Sequence, residues 1–399
     1  MGASLRGDSV KALRFYPSIP RYLLARLLGK RYPVGALPLR LEELPVPEEG
    51  GGFVRARVRL SGICGSDLAL LYGKNSPRLS PFFSFPAVLG HEILAEYGGT
   101  RVAVNPLLAC ADRGLDPCPA CRRGEEGLCQ NVTEGALAPG MIGYHRNLPG
   151  GWGEYILARP ERLVEIPPAV PDSRAVLAEP LAVALRGLRR AFIATDGYRF
   201  PSALLIIGGG TIGLLTTRLL RELGFAGRLD VVARRRRQAE LALRLGASSV
   251  YARTEEALAD FGARRFRPLL GAPVWRGGYP AVVEAAGTAQ SLDEAAWGTA
   301  EGGRVLLLGA VGEVRHDFSP HWFGELSWVG SYTYRDADFR DAVAMLPVLG
   351  GIEQLVGAPY PLDAWPRAIR DAIHRRAVKV VFSPVPAKAS VVRPSLQPA

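Results

Sequence analysis

Two hydrophobic rhythms divide the chain. Up to about Leu181, short stretches such as "FVRARVRLSGICG" and "RVAVNPLLAC" alternate apolar with polar residues among many Gly and Pro. A period of two predicts half-buried strands joined by loops, a β-dominated region. From about residue 185 to 330 the apolar runs become continuous and alternate with helical spacing: "ALLIIGGGTIGLLTTRLLRELG", "LDVVARRRRQAELALRLGA", "PAVVEAAG", "GRVLLLGAVG" and "LSWVGSY". Strands buried on both faces read this way, which predicts a βαβ array on a parallel sheet. From about Thr333 to Phe382, a helical pattern in "DADFRDAVAMLPVL" and a strand in "AVKVVF" predict a small unit that completes the first region. The expected class is α/β: a β-rich domain of residues 1–184 and 331–399, interrupted by a doubly wound domain of residues 185–330. After Phe382, "SPVPAKASVVRPSLQPA" reads as a flexible tail.

One segment stands apart. In "IPRYLLARLLGKR", Leu23, Leu24, Leu27 and Leu28 recur at helical spacing with Arg21, Arg26, Lys30 and Arg31 around them. A basic amphipathic helix of this kind can meet a membrane or a partner. It is short, and packing on its own domain or across a subunit contact is the expectation. It is given no function.

Composition narrows the class. With 399 residues, 48% hydrophobic and 22% charged, the chain can bury a large core in two or three domains. The N-terminus carries arginines throughout and only short apolar runs, and Arg6 stands where a myristoylation signal requires Ser or Thr. Nothing approaches a membrane span, so a cytoplasmic protein without membrane contact is expected. The net charge of +11 raises nucleic-acid binding, yet the positive residues are spread along the chain and only Arg234–Arg237 form a run. A basic enzyme surface that attracts anionic ligands is the better reading, with no nucleic-acid partner.

The motif "GGGTIG" lies between an apolar strand and a helical run. Gly208, Gly210 and Gly213 form G-x-G-x-x-G, with Thr211 and Ile212 between them. Glycine allows the tight turn and the close approach of backbone to pyrophosphate, and the helix N-terminus presents N–H groups to it. In a strand–loop–helix context inside repeated βα units, the motif is a specific sign of a dinucleotide site. About 20 residues on, an NAD-binding fold places an acid for the ribose. Here Ala233 occupies that position and Arg234 and Arg235 come next. A missing carboxylate and two guanidiniums favour a 2′-phosphate, hence NADP over NAD. Arg236 and Arg237 read as a solvated helix face. Asp230 is the rival for the ribose, although it lies near the start of its strand.

Four of the five cysteines fall within "CADRGLDPCPACRRGEEGLC", Cys110 to Cys129. Such clustering does not resemble a secreted disulfide framework and suits a metal site. The fifth, Cys64, stands in "GICGSD", and "LGHE" places His91 and Glu92 downstream. A thiolate, an imidazole and a carboxylate suit a catalytic zinc with an open position.

The motifs "GICGSD", "LGHE", the cysteine cluster, "GGWGEYILA", "LAEPLAVAL" and "GGGTIG" run in the order and approximate spacing of a known family. The chain resembles the zinc-dependent medium-chain dehydrogenase/reductase superfamily of alcohol, polyol and sugar dehydrogenases, over roughly residues 9–15 and 38–382. The resemblance implies a GroES-like catalytic domain interrupted by a Rossmann domain, with the active site in the cleft between them. It assigns Cys64 and His91 as catalytic zinc ligands. Glu179 stands where alcohol dehydrogenases carry a cysteine and polyol and sugar dehydrogenases a glutamate, and Glu92 is a second candidate. One glutamate is expected on the metal and the other through water. Asp67 would orient the histidine and Ser66 would begin a proton relay, which some members continue through a histidine where this chain has Ala69.

For the cysteine cluster, the resemblance implies a structural zinc lobe, about residues 105–132. Cys118, Cys121 and Cys129 match three ligands, and Leu115 stands at the fourth. Cys110 is the expected replacement, and a closed four-thiolate shell would brace a loop or subunit contact. The implied activity is hydride transfer between an alcohol, polyol or aldose carbinol carbon and NAD(P), with zinc stabilising the alkoxide, in a homo-oligomer, dimer or tetramer. The rivals are a basic zinc protein that binds nucleic acid and a zinc-free quinone or enoyl reductase of the same superfamily, which would lack Cys64, His91 and Glu179 as a set.

Overall fold

The structure, a computed structural model, describes residues 9–194, 197–309 and 312–384. The opening residues and the expected tail from residue 385 lie outside the described residues.

The continuous apolar runs form one six-stranded parallel sheet. Its spatial order is Ser249–Tyr251, Arg228–Val232, Ala203–Ile207, Tyr279–Glu284, Thr299–Leu307 and Ser327–Gly330. The first strand in sequence, Ala203–Ile207, is central and every one of its residues is buried, so "ALLII" shows no alternation. The chain reverses its direction of travel across the sheet at this strand, and ligands bind at the carboxyl ends of strands at such a point.

The alternating region forms antiparallel sheets. Val54–Gly62 is flanked by Ile93–Tyr97 and Val381–Phe382, and Tyr155–Ala158 pairs with its first half. Ala56, Val58 and Leu60 are buried on one face while Arg55, Arg57 and Arg59 lie on the other, as the period of two requires. A smaller sheet joins Leu39–Pro45, Ser9–Phe15 and Ala87–Val88. The C-terminal pair Val381–Phe382 thus returns to the antiparallel sheet after the parallel one is complete.

Some features depart from the patterns. The division expected at residues 184/185 falls inside one continuous helix, Ala178–Phe192, whose Leu181, Leu185 and Leu188 are fully buried. The two regions share this helix because both sides of it bury apolar side chains. A hairpin of Arg264–Phe266 and Val274–Arg276 is inserted before Tyr279; its first strand is wholly exposed, leaving no apolar period to read. The basic segment is a helix over Ile19–Leu28, but its leucines do not pack on the chain: Leu23 is 63% and Leu27 81% exposed, and only Ala25 is buried. Among the described residues no helix is long and apolar enough to cross a membrane.

A buried carboxylate locks the shared helix to the helix Asp336–Met345, which lies beyond the last strand of the parallel sheet. Asp338 Oδ1 accepts from Arg189 at 2.6 Å and from Arg335 at 3.0 Å. Burial alone would raise the Asp338 pKa, but the hydrogen bonds from Arg335 and Arg189 outweigh it and lower the value. Asp338→Asn is expected to cost about 3 kcal/mol, read by urea unfolding, because it leaves guanidiniums without their partner. A depressed carboxyl pKa contributes stability above its unfolded value, near 4, and loses it as the pH falls through the folded value. Wild type and variant should therefore converge in stability below that window.

Candidate active site and metal centres

Strand register assembles the first cluster. Val54–Gly62 pairs antiparallel with Ile93–Tyr97, Ser61 opposite Ile93, and the Gly62 N–H donates to the Glu92 carbonyl at 2.9 Å. The residues just past one strand end, Ile63 and Cys64, therefore lie beside those just before the other, His91 and Glu92. Ligand atoms of Cys64, His91 and Glu92 all lie within 4.8 Å of one another. Cys64 also caps the helix Gly65–Leu71, and its N–H donates to Asp67 Oδ2 at 2.9 Å. That capping bond fixes Asp67, whose Oδ1 lies 3.5 Å from His91 Nδ1. With Nδ1 directed at the carboxylate, Nε2 is the histidine's free ligand atom. Burial alone would lower the His91 pKa; Asp67 and Cys64 raise it well above the ordinary value. The site holds an excess of negative donors, as a cation requires.

The two glutamates have different surroundings. Glu92 is buried, and both of its oxygens accept from Lys379 Nζ, at 2.6 and 2.7 Å. Lys379 reaches it because Val381 pairs with Gly62 and because Nζ also donates to the Ile63 carbonyl at 3.3 Å. Glu179, in the first turn of the shared helix, is outside the compact group but close to it. Burial raises its carboxyl to about 7, with His91 and Lys379 opposing and Glu92 reinforcing the shift. Tyr334 lies against Glu179, its hydroxyl lacking a well-aligned hydrogen bond.

Ser66 Oγ lies 3.5 Å from His91 Nε2, so it faces the ligand side of the imidazole. The Tyr144 hydroxyl is 3.0 Å from Ser66 Oγ and 2.8 Å from Asp67 Oδ1, which holds both residues in place. Burial, Asp67 and Cys64 keep the Tyr144 pKa well above its usual value, so the phenol stays neutral. Tyr332, 58% exposed, lies within electrostatic reach of His91 and Glu179. Lys379, Tyr144, Tyr334 and Tyr332 escaped the sequence reading. Nothing local distinguishes them; only their distant partners do.

The four clustered cysteines form the second centre. The sulfurs of Cys110, Cys118, Cys121 and Cys129 lie within 4.8 Å of one another and all four thiols are free. Cys110 Sγ and Cys129 Sγ are 3.5 Å apart, too far for a disulfide and close to the edge of about 3.8 Å of a tetrahedron of Zn–S bonds. N–H groups of Cys118, Cys121 and Gln130 and the Asn131 amide donate to the sulfurs at 3.3 to 3.5 Å. These donors, from Cys121 and Gln130, bring the Cys118 thiol down to about 6 against the effect of burial, whereas burial raises Cys121 and Cys129. Leu115 packs on the cluster instead of joining it, and Cys110 stands in the group. The lobe is tied to the cleft. Arg162 joins Asp112 at 2.5 Å and Asp336 at 3.4 Å, Arg186 pairs with Glu125, and a Cβ on Gly127 would fall 2.9 Å from the Tyr334 carbonyl.

The glycine loop stands at the carboxyl end of Ala203–Ile207. Gly208 has φ 122°, and a Cβ on Gly213 would sit 1.9 Å from the Gly208 carbonyl oxygen. Only glycine fits either place. Helix Thr211–Glu222 starts at Gly210 with no side-chain cap, so its first N–H groups are free for an anion, and space beside Gly210 is open. Ile212, in the same first turn, is half-buried. Ala233 is buried just past Arg228–Val232, and Arg234 and Arg235 are exposed beyond it. Asp230 is fully buried and taken by Arg228 at 2.7 Å and the Tyr279 hydroxyl at 2.5 Å, so it is not available to a ribose. Arg236 pairs along its helix with Glu240 at 2.8 Å.

Fold and site together define a two-unit dehydrogenase, with a dinucleotide-binding sheet beside a cysteine–histidine–glutamate centre. The family "Alcohol dehydrogenase GroES-like domain" matches residues 50–168 and "Zinc-binding dehydrogenase" matches residues 211–347. Glucose 1-dehydrogenase of Methanocella arvoryzae is 30% identical over 69% of this chain and 74% of its own length. L-Galactonate-5-dehydrogenase of Escherichia coli K12 is 28% identical over 84% of this chain and 92% of its own. A zinc-binding dehydrogenase of Sinorhizobium meliloti 1021, solved with NADP, superposes with a TM-score of 0.71 at 26% identity, covering 94% of this chain and 100% of that one. The chain belongs to the zinc-dependent medium-chain dehydrogenase/reductase superfamily. It is an oxidoreductase of the alcohol and polyol type, acting on CH–OH groups with zinc and a nicotinamide coenzyme.

Two metal ions per chain are expected by elemental analysis. Cys110→Ser should reduce the count to about one and lower thermal stability, whereas Leu115→Ala should leave it at two; the opposite result would remove Cys110 from the lobe's ligands.

Proposed function

We propose that the chain oxidises a polyol or aldose-type secondary alcohol with NADP as preferred coenzyme, at a zinc held by Cys64, His91 and Glu92. The observation that carries this reading is the approach of those three ligand atoms to within 4.8 Å of one another. When bound, zinc supplies an electrophile that acidifies a substrate hydroxyl, and the nicotinamide accepts the hydride. The chain does the rest. Asp67 fixes the His91 tautomer, and Lys379 holds Glu92 as a ligating carboxylate is usually held by a hydrogen-bond donor. Alcohol oxidation releases a proton, and the Ser66 hydroxyl beside His91 is placed to relay it, accepting that proton as it hands its own on to solvent water, steadied by Tyr144. Glu179 serves as the second carboxylate, acting through an intervening water.

The names of relatives support the substrate class, since they act on L-galactonate, glucose and D-altritol. The buried Ala233 beside exposed Arg234 and Arg235 supports NADP. Exposed apolar side chains on Ile19–Leu28 and Ser319–Phe323 support a homo-oligomer.

A panel of sugars, polyols and simple alcohols, monitored by coenzyme absorbance with NADP and NAD separately, tests the assignment. Cys64→Ala and His91→Ala should abolish turnover while NADP(H) still binds. Glu92→Gln should lose the metal, and Glu179→Gln should keep it with slower turnover; the reverse pattern would exchange the two roles. Arg234→Ala should weaken NADPH on the order of tenfold and leave NADH nearly unchanged, as expected for one lost charged hydrogen bond. Equal losses would overturn the arginine assignment.

A further inference from the structure

The segment from Arg375 to Phe382 reaches both the Glu92 carboxylate and the helix behind the glycine loop. At one end Val381 pairs with Gly62, and Lys379 Nζ grips Glu92. In the middle, the Val378 carbonyl accepts from Thr211 Oγ1 at 3.2 Å, so the segment runs against the first residue of the helix behind the glycine loop. Lys379 N–H donates to the Leu355 carbonyl at 2.9 Å, and Gln354 beside it accepts from Arg237 and Arg244 at 3.4 and 3.1 Å. The segment is therefore fixed against the helices that succeed the two coenzyme-binding strands. Its other end, Arg375, lies within electrostatic reach of Arg234 and Arg235.

Three guanidiniums lie within electrostatic reach of one another there, with one carboxylate, Glu294, beside Arg234. Many arginines of this chain pair with carboxylates at short range, as Arg59 does with Asp172 at 2.7 Å and Arg189 with Asp338 at 2.6 Å, and others bond carbonyl oxygens. In this corner Arg234 has only Glu294 at 3.6 Å, and among the described residues no carboxylate pairs with Arg235 or Arg375. Partial desolvation, then the charges of Arg235 and Arg234, lowers the Arg375 pKa. The neighbour does not share this role, because Arg376 is taken by Asp371 at 3.0 Å. Arg375 has a left-handed backbone, φ 52°, because it ends the helix Trp365–Ile373: its N–H donates to the Ala372 carbonyl and that of Arg376 to the Asp371 carbonyl, which aims the Arg375 side chain off the helix end. Arg375 is thus a guanidinium that no carboxylate pairs among the described residues, within reach of the two arginines that follow the strand Arg228–Val232.

We propose that Arg375 is the third guanidinium of the coenzyme's 2′-phosphate site, contributed by the segment that also positions Lys379. A phosphate monoester carries close to two negative charges and three acceptor oxygens, which suits several forked donors. This rests on the NADP reading of Arg234 and Arg235. It adds that discrimination against NAD is made from both sides of the cleft. A coenzyme bearing the phosphate would then hold the C-terminal segment to the parallel sheet.

The test is calorimetric binding of 2′,5′-ADP and 5′-ADP to the full chain, in which neither hydride transfer nor zinc takes part. Arg375→Ala should weaken 2′,5′-ADP on the order of tenfold and leave 5′-ADP unchanged. Arg375→Lys, which keeps the charge but not the fork, should fall between. Unchanged 5′-ADP affinity reports an intact adenosine site in each variant. If Arg234→Ala shows the selective loss and Arg375→Ala does not, the third guanidinium is overturned while the NADP reading stands. If Arg375→Ala weakens both ligands equally, the residue is structural and the proposal is again overturned. If the wild-type chain binds both ligands alike, the NADP reading fails, and this inference with it.

Discussion

The active site depends on one backbone pairing. The hydrogen bond from the Gly62 N–H to the Glu92 carbonyl continues the antiparallel register of Ser61 with Ile93. Because side chains alternate along a strand, a slip of one residue would turn Cys64 or His91 away from the other. The buried row Ala56, Val58 and Leu60 makes such a slip costly, since it would expose the whole apolar face. The same core that stabilises the sheet therefore sets the positions of Cys64, His91 and Glu92.

Charge compensation then decides what each buried group does. Unpaired charges are expensive in a closed interior, so most here are matched. Asp67 faces His91, and Lys379 grips Glu92. Among the described residues no salt bridge pairs Glu179 with a cation, and burial raises its carboxyl to about 7. An interior with surplus donors aimed at one point is a place for a divalent cation, and Asp67 faces the histidine's far nitrogen across 3.5 Å. The cysteine lobe acts at a distance. Through Asp112, Arg162 and Asp336, and by contact of Gly127 with Thr333 and Tyr334, it holds the strand exit that places Tyr334 against Glu179.

The coenzyme side rests on the absence of side chains as much as on their presence. Gly208 and Gly213 let the backbone turn and the helix approach where any Cβ would collide, and Ala233 leaves the strand end without a carboxylate. The C-terminal segment closes this corner and reaches the metal site within a few residues. The helix behind the glycine loop and the Cys64–His91–Glu92 cluster thus share one piece of backbone.

The sequence by itself determined the parallel sheet, whose strands are buried on both faces, and the antiparallel one, whose faces differ, because burial leaves a period in the chain. It also determined the glycine loop and the cysteine cluster, where chemistry and spacing are local. The tertiary structure alone decided the rest. Asp230 was removed from the coenzyme by Arg228 and Tyr279, Cys110 was drawn into the lobe past Leu115, and the two glutamates were told apart by a lysine far along the chain. Likewise the leucines of Ile19–Leu28 have a helical period, yet they stay exposed. A period reports that a face is apolar, but only the folded chain, bringing distant residues to contact distance, fixes what that face or charge will meet.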